Sequence, residues 1–288
     1  MIDTIKIYQE HDIMTEIKAM KSMVTDIPKD IKTIVSYVQN ILLHQHWSKA
    51  YGLELIDERK KEPFVRSFED KLVFLNKRGF NHVSDKRADE SKMISICRDF
   101  SVASAALCRE AGIPARARCG FATYFEKDIY MDHWIVEYWN EERKRWVMVD
   151  AQMDALQKKA LQLPFDPLDI SENYFITGPR AWLLCREGTL NPELFGIFEW
   201  WGYDYLRCNL ILDVNSLLKV PMQPWDMWEG YKSSPIEEWT EKDYKVMDEL
   251  AIHDLNVDKD FEALYNYVHS NDTIKVPEDL SKVINSLQ

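Results

Sequence analysis

The chain has 288 residues, 46% of them hydrophobic and 12% aromatic. That suits one large packed domain, or a domain with a substantial extension, and excludes a disordered chain. The formal net charge is −12 and no long basic run occurs, which argues against nucleic acid or an anionic membrane as a partner.

Residues 3–26 are predicted as one amphipathic helix, with Ile5, Tyr8, Ile13, Ile17, Met20 and Val24 as its apolar positions. Pro28 then breaks the chain. A second helix is predicted from Asp30 to about His46, where Ile31, Ile34, Val35, Val38, Ile41 and Leu42 recur at helical spacing. A third runs from Arg66 to Arg78 and stops at Gly79, and the polar residues 80–95 read as loop. Arg98 to Ala111 form a helix with Phe100, Ala103, Ala106 and Leu107 on one face, ended by Gly112 and Pro114. Strands are predicted at 116–125, 132–139 and 145–150. Further helices are predicted at 191–198, 204–219 and 241–268, with Pro224 to Trp228 as ordered loop. This divides the chain into an N-terminal helix (1–27), a core (28–165) and a mainly helical C-terminal extension (166–288) packed on the core.

Five cysteines, at 97, 108, 119, 185 and 208, include no CxxC, so neither a disulfide framework nor a structural metal is expected. The N-terminus lacks the basic start and apolar run of a signal peptide, and no stretch approaches the ~20 apolar residues of a membrane helix. A reducing cytoplasm is the expected setting.

Three short stretches carry chemistry: Ile96-Cys97-Arg98-Asp99-Phe100, Asp132-His133-Trp134-Ile135-Val136-Glu137 and Trp146-Val147-Met148-Val149-Asp150. They hold a thiol, an imidazole and a carboxylate, the inventory of a nucleophile, its base and the group that orients the base. Cys97 sits at a helix start, where unpaired N–H groups favour thiolate and can bind an oxyanion. Cys108, about 16 Å along the same helix, is expected to be a packed apolar residue. A hairpin turn centred between Glu141 and Glu142 sets Ile135 opposite Met148 and His133 opposite Asp150, a directly opposed pair. His133, Ile135, Glu137 and Trp139 share one face of their strand, and Trp134, Val136 and Tyr138 the other.

The strings Cys97-Arg98-Asp99-Phe100-Ser101 and Leu107-Cys108-Arg109-Glu110-Ala111-Gly112-Ile113-Pro114-Ala115-Arg116 resemble the nucleophile helix of the transglutaminase-like superfamily. Gly120 matches that family's strand glycine. His133-Trp134-Ile135-Val136-Glu137 and Trp146-Val147-Met148-Val149-Asp150 resemble its "H-A-W-V-E" and "W-V-x-V-D" strands. The resemblance covers roughly residues 30–160. It implies a papain-like α+β fold, a nucleophile helix packed on an antiparallel sheet, with Cys97 as nucleophile, His133 as base and Asp150 as orienter. It also implies thioester chemistry on an amide, resolved by water or an amine, with no cofactor. Where the family often has Gly just before the cysteine, this chain has Ser95 and Ile96. Gln45 is a candidate oxyanion partner by residue type. Arg98 is a candidate for positioning the nucleophile loop or substrate, and Trp134 for core or groove wall.

The expected function is thus a cysteine-dependent hydrolase or acyltransferase acting on a peptide, protein or small amide. The alternative is a non-catalytic binding module that keeps the fold and cleft. His44 and His46 form a His-x-His, but on a helix such residues point apart, so no metal site is expected. The C-terminal extension, dense in aromatics, is expected to supply one wall of the cleft.

Overall fold

The computed structural model describes residues 4–228 and 235–285. Its helices are α1 (Thr4–Ile7), α2 (Ile31–Ile41), α3 (Asp57–Lys60), α4 (Phe68–Lys77), α5 (Cys97–Glu110), α6 (Ala155–Leu161), α7 (Gly178–Arg186), α8 (Gly202–Leu217), α9 (Glu241–Leu255) and α10 (Phe261–His269). Its strands are β1 (Leu42–His44), β2 (Met93–Ser95), β3 (Ala115–Ala122), β4 (Tyr130–Asn140), β5 (Arg145–Val149), β6 (Phe175–Thr177), β7 (Phe195–Ile197), β8 (Trp200–Trp201), β9 (Asp226–Met227) and β10 (Ile284–Asn285). The mixed α and β architecture is the expected one. The chain forms two compact units, neither of them one continuous segment. One comprises Lys6–Ala117 and Trp134–Ile170, the other Met1–Ile5, Arg118–His133 and Ser171–Gln288. Both β3 and β4 pass from one unit into the other.

In the first unit α5 is central. Every residue from Cys97 to Arg109 is buried, as a helix surrounded by packed elements must be. It packs on α2 and α4. Ser67 starts α4 by accepting from the Asp70 N–H at 3.1 Å, the N-cap that exposes fewer orphan donors. The second predicted helix ends at Ile41, earlier than expected. Leu42–His44 is instead a strand, paired in parallel with β2 through Leu42↔Met93, Leu43↔Ile94 and His44↔Ser95.

The helix expected over residues 3–26 is replaced by α1 and a 3-10 turn at Lys21–Val24. Asp12 explains the break. Its carboxylate accepts from the N–H groups of Met14 and Thr15 at 2.9 and 3.0 Å and pairs with Arg109 of α5. Such local side-chain bonds compete with helix. Tyr8, Ile17 and Val24 are still buried, whereas Ile13 is exposed.

The hairpin β4–β5 has a different register from the expected one. Pairs run Val136↔Val149, Glu137↔Met148, Trp139↔Trp146 and Asn140↔Arg145, a shift of two positions. The turn holds four residues because Asn140 Oδ1 accepts from the Arg143 N–H at 2.9 Å and Lys144 takes a left-handed φ of 50°. A two-residue shift keeps every side chain on its predicted face. Trp139 and Trp146 meet edge-on at 5.6 Å. Glu137 is buried on that face because Arg116 Nε of β3 donates to it at 2.7 Å, while the guanidinium lies over Trp146 at 4.1 Å.

In the second unit, β6 pairs antiparallel with the end of β3 through Gly120↔Thr177 and Phe121↔Ile176. A Cβ at Gly120 would meet Ile176 O, and Phe175 Cζ at 2.6 Å, so this strand position has room only for glycine. The start of β4 pairs in parallel with β7 through Tyr130↔Phe195, whose rings stack at 4.2 Å. Helices α7, α8 and α9 pack together around Trp182, which donates to Asp248 Oδ1 at 2.7 Å. The helix predicted at 191–198 is instead a 3-10 turn at Pro192–Leu194 leading into β7. The one predicted at 241–268 is split, because Asn256 closes α9 and Asp260 caps α10 by accepting from the Ala263 N–H at 3.0 Å. In the run expected as loop, Asp226–Met227 forms a short strand on β10. No helix among the described residues is long and apolar enough to cross a membrane.

Candidate active site

Cys97 is the first residue of α5 and is 9% exposed. Its surroundings are built from buried charge. Asp99 reaches back so that Oδ2 accepts from the Ile96 N–H at 3.2 Å, half of a capping box. The same oxygen lies 3.0 Å from Lys71 Nζ of α4, and Oδ1 lies 3.2 Å from Arg98 Nη1. Arg98 also donates to Arg66 O at 2.6 Å and is 0% exposed. Its guanidinium therefore braces the helix start and presents no surface to a substrate. Two residues earlier, Glu62 Oε2 accepts from the Ile94 N–H at 2.7 Å. Burial pushes the Glu62 carboxyl up, but bonds from Arg78, Arg59 and that N–H outweigh it and hold it below its ordinary value. The approach to Cys97 is thus gripped by two carboxylates, each anchored by cations.

One turn beyond Cys97, Ser101 Oγ donates to Ile135 O of β4. The α5 face that carries Cys97 is therefore bonded to the backbone of β4 two residues past His133. Gln45 follows β1 directly and half-buried. Because His44 pairs with Ser95, the parallel register brings Gln45 to the strand end from which α5 begins. The rings of His44 and His46 lie 5.4 Å apart, closer than helical spacing implied, because the chain has left the helix at Ile41. Trp134 is 1% exposed and belongs to the interior.

Asp150 follows β5 and is 1% exposed. Its Oδ1 accepts from the Gln152 N–H at 3.0 Å and its own N–H donates to Pro167 O at 2.9 Å, which fixes the carboxylate on a loop that would otherwise be free to turn. Beside this loop, Gln39, Tyr51, Phe100, Gln152, Asp154 and Gln157 line a cavity of about 10 Å³ for the centre of a water-sized sphere. That admits one water.

His133 lies in the second unit, on β4, and is 2% exposed. Phe125 and Tyr124 meet its ring edge-on at 4.9 and 6.1 Å. Its neighbour Asp132 accepts from Asn209 Nδ2 of α8 at 2.8 Å, and Asn209 also donates to Gly120 O at 3.0 Å. The C-terminal segment thus holds the strand that carries His133. Burial pushes the Asp132 carboxyl up to about 6, against the pull of His133 and of bonds from Asn209, Tyr205 and Cys119. A carboxyl raised on folding binds more protons in the native than in the unfolded chain between about pH 4 and 6, so stability falls as pH rises through that window. Asp132→Asn keeps an acceptor for Asn209 and removes the titration. Urea unfolding at about pH 4 and pH 7.5 should then show the variant gaining up to about 3 kcal/mol relative to wild type at the higher pH.

All three chemical positions fall in one matched segment. Residues 78–151 match the transglutaminase-like superfamily. The matched segment runs from the end of α4 through α5, β3, β4 and β5 to the residue after Asp150. A solved structure from Cytophaga hutchinsonii described as a "Putative Cysteine Protease" is similar at 20% identity and a TM-score of 0.21. The similarity covers 56% of this chain and 51% of that protein's length. No curated protein matches the chain.

Sequence reasoning missed the charges behind Cys97. Lys71 carried a signal: it stands in line with Phe68, Leu72 and Leu75 on the buried stripe of α4, where a lysine needs a partner. Glu62 and Asn209 carried none, since Arg78 and Ile94 for the first, and Gly120 and Asp132 for the second, are remote in sequence.

Proposed function

We propose that this protein is a cysteine-dependent hydrolase or acyltransferase that cleaves amide bonds through a thioester. Cys97 is the nucleophile, His133 the base and Asp150 the group that orients it. The observation that carries the reading is the bond from Ser101 to Ile135 O, which ties the face of α5 bearing Cys97 to β4 beside His133. The β4–β5 register adds support: it leaves His133 and Asp150 on the same strand face, with Asp150 following the strand one step beyond Val149↔Val136. Diagonal neighbours at such a step lie about 7–8 Å apart at Cα, within reach of an imidazole and a carboxylate.

In the first half-reaction the Cys97 thiol gives its proton to His133 and sulfur attacks the amide carbonyl. The C–N bond then breaks, the amine leaves with the proton from the imidazolium, and a thioester remains on Cys97. In the second, water or an amine loses a proton to His133 and attacks the thioester, which releases acid or new amide and the thiol. The N–H groups at the start of α5, with Gln45, hold the oxyanion in both halves. Mass-spectrometric screening of peptides and small amides should find an acyl adduct on the Cys97 peptide that is lost in Cys97→Ala. Turnover that persists in the variant would remove Cys97 as the nucleophile, and neither adduct nor turnover in the wild type would leave the binding-module reading standing.

A further inference from the structure

A fully buried lysine–aspartate pair asks for a reason. Lys71 is 1% exposed and Asp99 0% by side chain, with Nζ 3.0 Å from Oδ2. Desolvating two charges roughly cancels what their attraction returns, and apolar replacements of such pairs are often neutral or stabilising. Stability alone therefore does not account for the pair. Its position does suggest a role. Asp99 is two residues beyond Cys97, and the same Oδ2 that meets Lys71 accepts from the N–H of Ile96, the residue immediately before Cys97.

We infer that Lys71 and Asp99 are positioning residues for Cys97, which fix the backbone that presents the thiol and set its electrostatic potential. The inference rests on the reading of Cys97 as the nucleophile. Asp99 alone would work against a thiolate: a bare carboxylate two residues away raises a thiol pKa and opposes the positive end of the helix. Lys71 cancels that charge while leaving the carboxylate free to hold Ile96. The other charged groups about the pair are Arg98 from α5, 3.2 Å from Asp99, and Glu62, which Arg59 and Arg78 offset at 3.0 and 2.6 Å. His44 and His46 stand at the end of β1. Burial lowers the proton affinity of Lys71, and Asp99 opposes that effect.

A charge cycle tests this. The full-length wild type, Lys71→Met, Asp99→Asn and the double variant are labelled with iodoacetamide across pH, and the Cys97 peptide is followed by mass spectrometry. Lys71→Met leaves Asp99 with Arg98 as its remaining cation and should raise the Cys97 pKa by about one unit. Asp99→Asn keeps an oxygen for Ile96 and removes the negative charge, so the pKa should fall by a similar amount. The double variant should return to within about 0.3 unit of wild type. A purely structural pair would move both single variants the same way or neither, and that result overturns the inference, as would a double variant no nearer wild type than the singles. If a single variant fails to fold, the double variant, which removes both charges of the pair together, and the other single variant still decide the sign. The thiol titrates whether or not it attacks amides. Opposed shifts without turnover would therefore sink only the catalytic reading, and turnover without opposed shifts only this one.

Discussion

Iodoacetamide at neutral pH should label Cys97 at least about tenfold faster than any other cysteine, because only the thiolate attacks. Burial pushes the Cys108 and Cys185 thiols up to about 12, so at pH 7 only about one in 10⁵ of each is ionised. Cys119 is 0% exposed. Cys208 is the half-buried cysteine of the five and serves as the internal reference. His133→Ala should slow Cys97 about 10- to 100-fold and leave Cys208 unchanged, since an imidazolium partner is what draws a thiol pKa down furthest. Equal rates at Cys97 and Cys208 in the wild type would remove the case for a nucleophile.

The second large effect concerns stability. Asp213→Ala should cost about 3–5 kcal/mol in urea unfolding. Asp213 of α8 is 0% exposed by side chain and takes Arg118 Nη2 at 2.7 Å and Nε at 3.0 Å. It also accepts from the Cys119 N–H at 2.7 Å. Its removal leaves a buried guanidinium with Asp254 at 3.2 Å and takes the acceptor from a buried backbone donor. Asp213→Asn keeps the acceptor, and Asp254 keeps a charge near Arg118, so its cost should be clearly smaller. The contrast case is Arg143→Ala, which breaks an exposed pair with Asp169 and should change stability by less than about 1 kcal/mol. A loss below about 1 kcal/mol in Asp213→Ala would mean that water reaches Arg118 and that the network does not hold β3.

What could be read from the sequence was what depends on near neighbours. The helix of Cys97 showed itself by its apolar face and by Gly112, and α4 by its stripe and Gly79. The strand of His133 showed itself by alternation. The face of His133 was right although the hairpin register was not, because the face depends on parity and the register on turn chemistry at Asn140 and Lys144. Elements set by remote partners stayed hidden. Leu42–His44 looks like the last turn of a helix and becomes a strand because Met93–Ser95 lies beside it. The N-terminal segment has a helical pattern, but Asp12 is committed to Arg109. For the candidate site, residue types and their order were legible, whereas the buried charges that hold Asp99 and Glu62 were not, since burial is a property of the packed chain.

The passage of β3 and β4 between two compact units has a consequence for synthesis. The half of β4 with His133 belongs with residues from Ser171 onward, and Asn209, which grips Asp132, is made well after it. At about 5–20 residues per second, the ribosome needs on the order of ten seconds to go from His133 to the end of the chain. During that time Cys97 and its helix can already be packed while Asp132, beside His133, still lacks its bond from Asn209. A chain cut before Asn209 would carry a thiol without a secured base, so the proposed chemistry should appear only in chains that extend past it.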